Sequence, residues 1–174
     1  MKQNVALIGL SGTLKTTVAR VLAESINKRY VDTDELIVFE YGMPIKEIFE
    51  KTGEEYFRKI ETKTIRSVAE FSDVVIATGG GAVLNENNMF ALKETCIVVC
   101  LTASKKVLYE RLKNDDTRPL LCPVSHSRVS DYVDGRKGLY DKWADFTVST
   151  SNKTAVQVSQ EIIKKLNNNW YKQN

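Results

Sequence analysis

Two glycines followed by a lysine and a threonine form the first group of residues that could do chemistry. Gly9 and Gly12 interrupt an apolar run, and Lys15 and Thr16 open a segment with helical spacing. Backbone N–H groups of a tight glycine turn and of a helix N-terminus favour an anion at one spot. The lysine and the hydroxyl suit the phosphates and the magnesium ion of a nucleotide. The alternative is an ordinary strand-to-helix turn.

One position departs from the usual phosphate-binding pattern, in which a glycine precedes the lysine. Leu14 occupies that position. Leucine has no conformational problem there if its φ is negative, because it is a good helix former. The direction of its side chain then matters: pointing away from the phosphates it leaves the site open, and pointing toward them it lowers nucleotide affinity.

Two carboxylates stand at the end of the second predicted strand, residues 29–34. Asp32 and Asp34 are separated by one residue. In open α/β sheets ligands collect outside the carboxyl ends of the strands, so we expect both acids beside the phosphate site. Helix capping by Asp34 is an alternative that explains one acid and leaves the other.

Three successive glycines, Gly79–Gly81, follow the third predicted strand, residues 73–78. Removing all side chains from one loop costs folding entropy, which makes most sense where backbone must approach a ligand closely. A flexible connection is the alternative, although the end of a strand is an unusual place for one.

Two pairs of polar residues have helical spacing. Arg58 and Glu61 are three apart, and Arg136 and Tyr140 are four apart, so each pair shares a helix face. By itself, the first pair is also explained as a surface ion pair beside a core aromatic residue.

A polar segment with two prolines, residues 114–125, is too long for a plain turn. Loops of this length in compact domains often act as lids. Arg118 precedes a proline, which biases it toward an extended conformation. The sole histidine, His126, follows this segment. We expect it to be an exposed residue and not a catalytic base.

Composition limits the class of protein. The 174 residues fit one domain, and 43% hydrophobic and 27% charged residues are ordinary for a globular chain. The net charge of +3 is small and mixed along the chain, so we expect no nucleic-acid or membrane partner. Three cysteines without metal-like spacing, and no apolar segment behind a basic amino terminus, predict a cytoplasmic protein. Apolar strands alternating with helices predict a mostly parallel sheet covered on both faces.

In order and spacing, these motifs resemble those of shikimate kinases over nearly the whole chain. They are Gly9-x-x-Gly12-x-x-Lys15-Thr16, Asp32-Thr-Asp34, Phe57-Arg58-x-x-Glu61, Gly79-Gly-Gly81, Arg118-Pro-Leu-Leu121 and Arg136-x-x-x-Tyr140. The resemblance implies a three-layer α/β/α P-loop kinase fold, with a five-stranded parallel sheet in the order 2-3-1-4-5. It also implies one domain with a phosphate-binding loop at 9–17, a helical substrate-binding region at 33–61 and a lid at about 113–126.

The resemblance further implies transfer of the terminal phosphoryl group of ATP to the 3-hydroxyl of shikimate, with Mg²⁺. Lys15, Asp34 and Arg118 would be catalytic, with Asp34 the candidate base, and Thr16 and Asp32 would hold the metal. Glu61 would orient Arg58. The implied nucleotide contacts are Gly12, Thr13, Leu14, Lys15, Thr16, Thr17, Arg111, Arg118 and Asn152. The implied shikimate contacts are Asp34, Arg58, Gly79, Gly80, Gly81 and Arg136.

Two other functions remain open at this point. A kinase-like protein with weak or lost catalysis, acting in binding or regulation, is favoured by Leu14 alone. A kinase for another polyol acid, such as gluconate or quinate, is disfavoured because Asp34, Arg58 and Arg136 all match the shikimate set. We expect a monomer.

Overall fold

The computed structural model describes residues 3–115 and 124–170, and side chains up to residue 168. Arg118 and most of the predicted lid therefore lie outside the described residues. Among the described helices, none is both long and apolar enough to cross a membrane.

A parallel sheet forms the centre of the molecule. Its five strands follow the order β2-β3-β1-β4-β5, and every neighbouring pair is parallel. The strands are β1 Asn4–Gly9, β2 Arg29–Asp32, β3 Val74–Ala77, β4 Cys96–Thr102 and β5 Phe146–Ser149. This order confirms the predicted fold class.

Within the part of the chain that the structure describes, seven α-helices connect and cover these strands. They are α1 Lys15–Ser25, α2 Thr33–Tyr41, α3 Ile45–Ala69, α4 Glu86–Thr95, α5 Lys105–Leu112, α6 His126–Trp143 and α7 Ala155–Trp170. A 3-10 turn, Ala82–Leu84, precedes α4. The sequence predicts that residues 35–70 form three helical pieces, with breaks at Gly42-Met-Pro44 and Thr52-Gly53. Both breaks are present, because α2 ends before Gly42 and Gly53 leaves the helical conformation inside α3.

The central strand β1 is buried on both faces. Val5 and Leu7 pack with α1 and α7, while Ala6 and Ile8 pack with residues of α3 to α6 on the other face. A third cluster joins α2 to α3 through Ile37, Ile48, Phe57 and Ile60. Packing on both sides fixes the carboxyl end of β1, where the first glycine motif begins.

The amino-terminal cap of α2 differs from the one named in the capping alternative. Asp32, and not Asp34, caps α2: Oδ1 of Asp32 accepts from the N–H groups of Asp34 and Glu35. Capping thus explains the first acid and leaves Asp34 for another role. The sequence predicts the closing helix over residues 154–166, but α7 continues to Trp170.

Candidate active site

The P-loop, residues 9–17, joins β1 to α1 in conformations that favour glycine. Gly9 has φ 145° and Gly12 has φ 82°. A Cβ on Gly9 would overlap the carbonyl oxygen of Leu101 and lie 2.9 Å from Thr13 Oγ1. Both glycines are therefore needed for the path of the backbone.

Leu14 also adopts a left-handed conformation, with φ 64° and ψ 25°, so the condition of a negative φ, under which leucine would be unstrained, is not met. This conformation costs a non-glycine residue roughly 1–2 kcal/mol. The side chain is half-buried and packs against the apolar cluster between the sheet, α1 and α7. The isobutyl group therefore contacts the core of the protein.

Lys15 is buried at the mouth of the P-loop, with 8% of its surface exposed. Its Nζ donates to the carbonyl oxygens of Gly9 and Leu10, each at 2.9 Å. An ammonium group held inside the turn is placed to attract an anion to the same loop.

Thr16 and Asp32 meet beside the P-loop. Thr16 Oγ1 donates to Asp32 Oδ2 at 2.7 Å, while the other carboxylate oxygen caps α2. The two side chains are thus oriented together, and both offer the oxygen atoms that Mg²⁺ prefers. No cluster of three or more metal-ligating side chains exists within 3–115 and 124–170. This pair fits a magnesium ion that keeps several waters and is held by nucleotide phosphates.

In the triple-glycine loop, Gly79–Gly81, the first glycine lies against the side chain of Asp34. A Cβ on Gly79 would lie 2.6 Å from Asp34 Oδ1 and 2.9 Å from Glu61 Oε1. The N–H of Gly79 donates to Thr33 Oγ1 at 3.1 Å. Absence of a side chain lets the two carboxylates approach this backbone, while the expected close approach to a ligand stays a prediction.

Arg58 contacts the third residue of the same loop. A Cβ on Gly81 would overlap Arg58 Nη1 and lie 2.6 Å from its Cζ. Arg58 donates to Glu61 Oε2 at 2.8 Å and to Glu54 Oε1 at 3.1 Å. Glu61 is 1% exposed, so the pair is not the surface ion pair of the alternative interpretation.

Burial raises the pKa of Glu61, and the charges of Arg58 and Arg136 only partly offset that effect. Burial opposes the charge on Arg58, but Glu61 and Glu54 outweigh it and raise the pKa of Arg58. The site therefore keeps a permanent positive charge at Arg58, facing the glycine backbone.

Helix α6 contacts the middle of the triple-glycine loop. The carbonyl oxygen of Gly80 accepts from Tyr140 Oη at 2.7 Å and from Arg136 Nη1 at 3.2 Å. Arg136 also donates to Tyr132 Oη at 3.0 Å, and its guanidinium lies 4.3 Å from the centre of that ring. The predicted shared face of Arg136 and Tyr140 is confirmed. Two arginines, Arg58 and Arg136, thus flank one glycine loop.

Arg111 lies on the opposite side of the P-loop. Its guanidinium donates to the carbonyl oxygen of Gly12 and to both oxygens of Thr150, at 2.9–3.0 Å. Burial lowers its pKa. Asn152, in the adjoining loop after β5, has φ 56°. Arg111 and the loop at 150–153 thus lie next to each other, as expected from the sequence.

Some contacts were missed from the sequence because nothing in the residue pattern marks them. Ser11 joins the two glycine loops: a Cβ on Gly80 would lie 3.0 Å from Ser11 Oγ and 3.4 Å from Tyr132 Oη. Thr33 and Thr150 likewise contact the site through hydroxyl groups. A single serine, threonine or tyrosine has no periodicity that separates such a contact from an ordinary surface position. His126 is exposed, as expected, and stacks on Tyr109.

Comparison with known proteins is consistent along the whole chain. The shikimate kinase family model matches residues 11–167. The chain is 42% identical to the shikimate kinase of Thermodesulfovibrio yellowstonii, over 93% of this chain and 94% of that protein. It is also 42% identical to the shikimate kinase of Geobacter sulfurreducens, over 92% of this chain and 88% of that protein.

Solved structures agree with this result. Shikimate kinase from Acinetobacter baumannii in complex with shikimate superposes with a TM-score of 0.93 at 34% identity, covering 97% of this chain and 95% of that one. A gluconokinase from Sinorhizobium meliloti, at 16% identity and a TM-score of 0.60, shares the fold alone. The P-loop, the two carboxylates and the two arginines meet at one edge of the sheet, in agreement with these relatives. Since the family model and the relatives cover nearly the whole chain, the chain belongs to the shikimate kinase family.

Proposed function

We propose that this protein transfers the terminal phosphoryl group of ATP to the 3-hydroxyl of shikimate. The observation that carries the proposal is the contact between the P-loop and the triple-glycine loop at Ser11 and Gly80. A phosphate held by one loop and a carboxylate substrate held by the other would lie side by side. Phosphoryl transfer depends mainly on such positioning and on charge neutralisation.

The P-loop would hold the nucleotide phosphates. Lys15, now bound to two loop carbonyls, would turn its ammonium toward the phosphates, with backbone N–H groups of residues 12–17. On the base side, Arg111 would stack on adenine, and Asn152 would lie along the same edge. The guanidinium is already fixed beside that loop.

Thr16 and Asp32 would hold Mg²⁺, Asp32 through a water molecule. When bound, the ion supplies charge neutralisation for the phosphates. The carboxylate is kept in place by its second oxygen, which caps α2, so the site is oriented before any ligand arrives.

The shikimate carboxylate would bind between Arg58 and Arg136, because planar guanidinium groups match a carboxylate with paired hydrogen bonds. Asp34 would accept hydrogen bonds from the ring hydroxyls and take the proton of the 3-hydroxyl as its oxygen bonds to phosphorus. The bond from phosphorus to the bridging oxygen of ATP then breaks and ADP leaves. Glu61 would orient Arg58 through their 2.8 Å contact.

Arg118 lies outside the described residues, and its role remains an inference from the resemblance. It would come with the lid and share the charge on the migrating phosphoryl group with Lys15. Closing the lid would exclude water that otherwise hydrolyses ATP.

A binding or regulatory role without catalysis rested on Leu14, and no described contact favours it. The Leu14 side chain packs on the core, while Lys15, Thr16 and Asp32 keep the contacts expected of an active site. For kinase action on gluconate, the comparison with a gluconokinase supports the shared fold and not the activity.

Calorimetric titration with ATP and with shikimate tests the proposal, together with measurement of ADP release. We expect both ligands to bind and ADP to form only when both are present with Mg²⁺. Arg136→Ala should weaken shikimate binding at least tenfold and leave ATP binding unchanged. Lys137→Ala, which removes an exposed charge from the same helix, is the control. Binding of shikimate without binding of ATP would refute the kinase assignment.

A further inference from the structure

The guanidinium of Arg111 joins parts of the chain that are far apart in sequence. Nη1 donates to the carbonyl oxygen of Gly12 at 2.9 Å and to Thr150 Oγ1 at 3.0 Å, and Nη2 donates to the Thr150 carbonyl oxygen at 3.0 Å. We propose that Arg111 is a positioning residue that clamps the P-loop to the loop after β5 and so shapes the triphosphate site itself. This inference rests on the proposed function, because its consequence is measured on nucleotide binding.

The P-loop end of the clamp is a position where the backbone has unusual freedom. Gly12 has φ 82°, and its carbonyl shares a planar peptide unit with the N–H of Thr13. That N–H donates to the Leu10 carbonyl oxygen at 3.3 Å within the turn. The peptide plane between Gly12 and Thr13 is thus held at its carbonyl oxygen by Arg111 and at its N–H by the turn. Without Arg111, a glycine peptide would have more orientations to lose when phosphate binds.

The other end of the clamp is rigid. Thr150 is fully buried, and both its N–H and its Oγ1 donate to the Thr102 carbonyl oxygen, at 2.8 and 3.1 Å. Thr102 is the last residue of β4, beside the central strand. The hydrogen bonds of Arg111 therefore connect the P-loop to a buried residue of the loop after β5 that is itself held by the sheet.

This role is distinct from stacking on adenine. Hydrogen bonds use the N–H groups in the plane of the guanidinium, whereas stacking uses its flat face. One side chain can therefore do both, and a ligand without a base separates the two. The fork geometry also explains an arginine at this position, because lysine offers a single point charge.

The test uses inorganic tripolyphosphate with Mg²⁺ as a ligand that has phosphates and no base. We expect the native protein to bind it, and Arg111→Ala to lose about tenfold in affinity for it. Loss of stacking alone would weaken ATP and leave tripolyphosphate unchanged, which would overturn the proposal. Lys106→Ala removes an exposed charge from the same helix and should bind tripolyphosphate as the native protein does.

Thr150→Val separates the clamp from simple charge attraction, because it removes a hydroxyl and alters no charge. We expect Thr150→Val to lose severalfold in affinity for tripolyphosphate. The double variant with Arg111→Ala should bind no more weakly than Arg111→Ala alone, and Arg111→Lys should recover only part of the affinity that Arg111→Ala loses. Shikimate affinity should stay unchanged in each variant, which shows that the fold is intact. Unchanged binding in Thr150→Val with full rescue by Arg111→Lys would overturn the clamp. Failure of the native protein to bind ATP would instead overturn the proposed function.

Discussion

The P-loop and the triple-glycine loop lie side by side, and both are rich in glycine. In the P-loop the requirement is conformational at Gly9, Gly12 and Leu14, which all have positive φ, and Gly9 in addition has no room for a Cβ beside the Leu101 carbonyl oxygen. In the triple-glycine loop it is spatial: none of its residues has positive φ, but an added Cβ would meet Asp34, Ser11 or Arg58.

This difference explains how the chain tolerates a leucine in one loop. A positive φ costs a bounded amount of free energy, and the Leu14 side chain recovers part of it by packing on the core. A side chain in the triple-glycine loop has no such outlet, because functional groups already fill the space. At position 14 of the P-loop, a residue other than glycine therefore costs conformational free energy, whereas in the triple-glycine loop it lacks space.

The largest effect is expected from Gly81→Ala. The new methyl group would overlap Arg58 Nη1 and displace the guanidinium. A misplacement of about 1 Å can cost on the order of 10²-fold in catalysis, and we expect that loss in kcat/KM for shikimate. Steady-state kinetics against shikimate and ATP separately provide the measurement.

The matched control for this variant is Gly138→Ala, at a helical position with no atom within 4 Å of the added Cβ. It should keep native kinetics and gain about 0.5–1 kcal/mol in stability. Native shikimate kinetics in Gly81→Ala would refute the spatial interpretation.

Glu61→Gln tests the support beneath the triple-glycine loop. Glutamine keeps an acceptor for Arg58 but loses the charge, and we expect KM for shikimate to rise about tenfold with KM for ATP unchanged. A rise in both KM values would indicate general loosening of the fold and not a shikimate-specific support.

The same variant gives a pH prediction. The pKa of Glu61 is raised by burial above its ordinary value of 4.5. Between that value and the raised one, the folded protein holds a proton that the unfolded chain releases. The contribution of Glu61 to the free energy of unfolding therefore falls as pH rises through this window. Melting temperatures of the native protein minus those of Glu61→Gln should decrease from pH 4 upward. An increase would mean that the ion pair with Arg58 outweighs burial.

A smaller effect is expected from Tyr140→Phe. The change removes the 2.7 Å hydrogen bond to the Gly80 carbonyl oxygen but leaves the one from Arg136. We expect about 1 kcal/mol of destabilisation and a severalfold rise in KM for shikimate. Denaturant unfolding and kinetics measure both, with Tyr56→Phe at an exposed position as the control. Unchanged stability would show that the hydroxyl does not support the loop.

The smallest effect on activity is expected from Leu14→Gly. Glycine relieves the left-handed conformation but loses the apolar packing of the leucine side chain, so its two effects on stability oppose each other. Because that side chain packs on the core, turnover and KM for ATP should stay within about threefold. Leu14→Ala loses the packing and keeps the strain, so it should be about 1 kcal/mol less stable than Leu14→Gly. Denaturant unfolding of the two variants tests this order. A large gain in turnover on restoring glycine would show that leucine obstructs the nucleotide.

Local patterns in the sequence predicted the strands and the helix breaks, whereas the sheet order and the roles of the site residues were implied by the resemblance to shikimate kinases. Apolar runs, glycine pairs and helical spacings are local signals, and they need only neighbouring residues to be read. The expectation that Asp32 and Asp34 lie beside the P-loop followed from their position after a strand, because carboxyl ends of parallel strands meet at one edge. Arg58 and Arg136 were assigned to one ligand only through the resemblance to shikimate kinases.

Only the tertiary structure decided the backbone conformation of Leu14, the cap of α2 and the contacts of Arg111. Each depends on atoms distant in sequence: the core against which Leu14 packs, the Thr16 hydroxyl that binds Asp32, and the Thr150 oxygens that hold Arg111. Spacing along a chain predicts which residues share a helix face. It does not predict which of two allowed backbone conformations the surrounding core stabilises, because that choice is made by packing over long range.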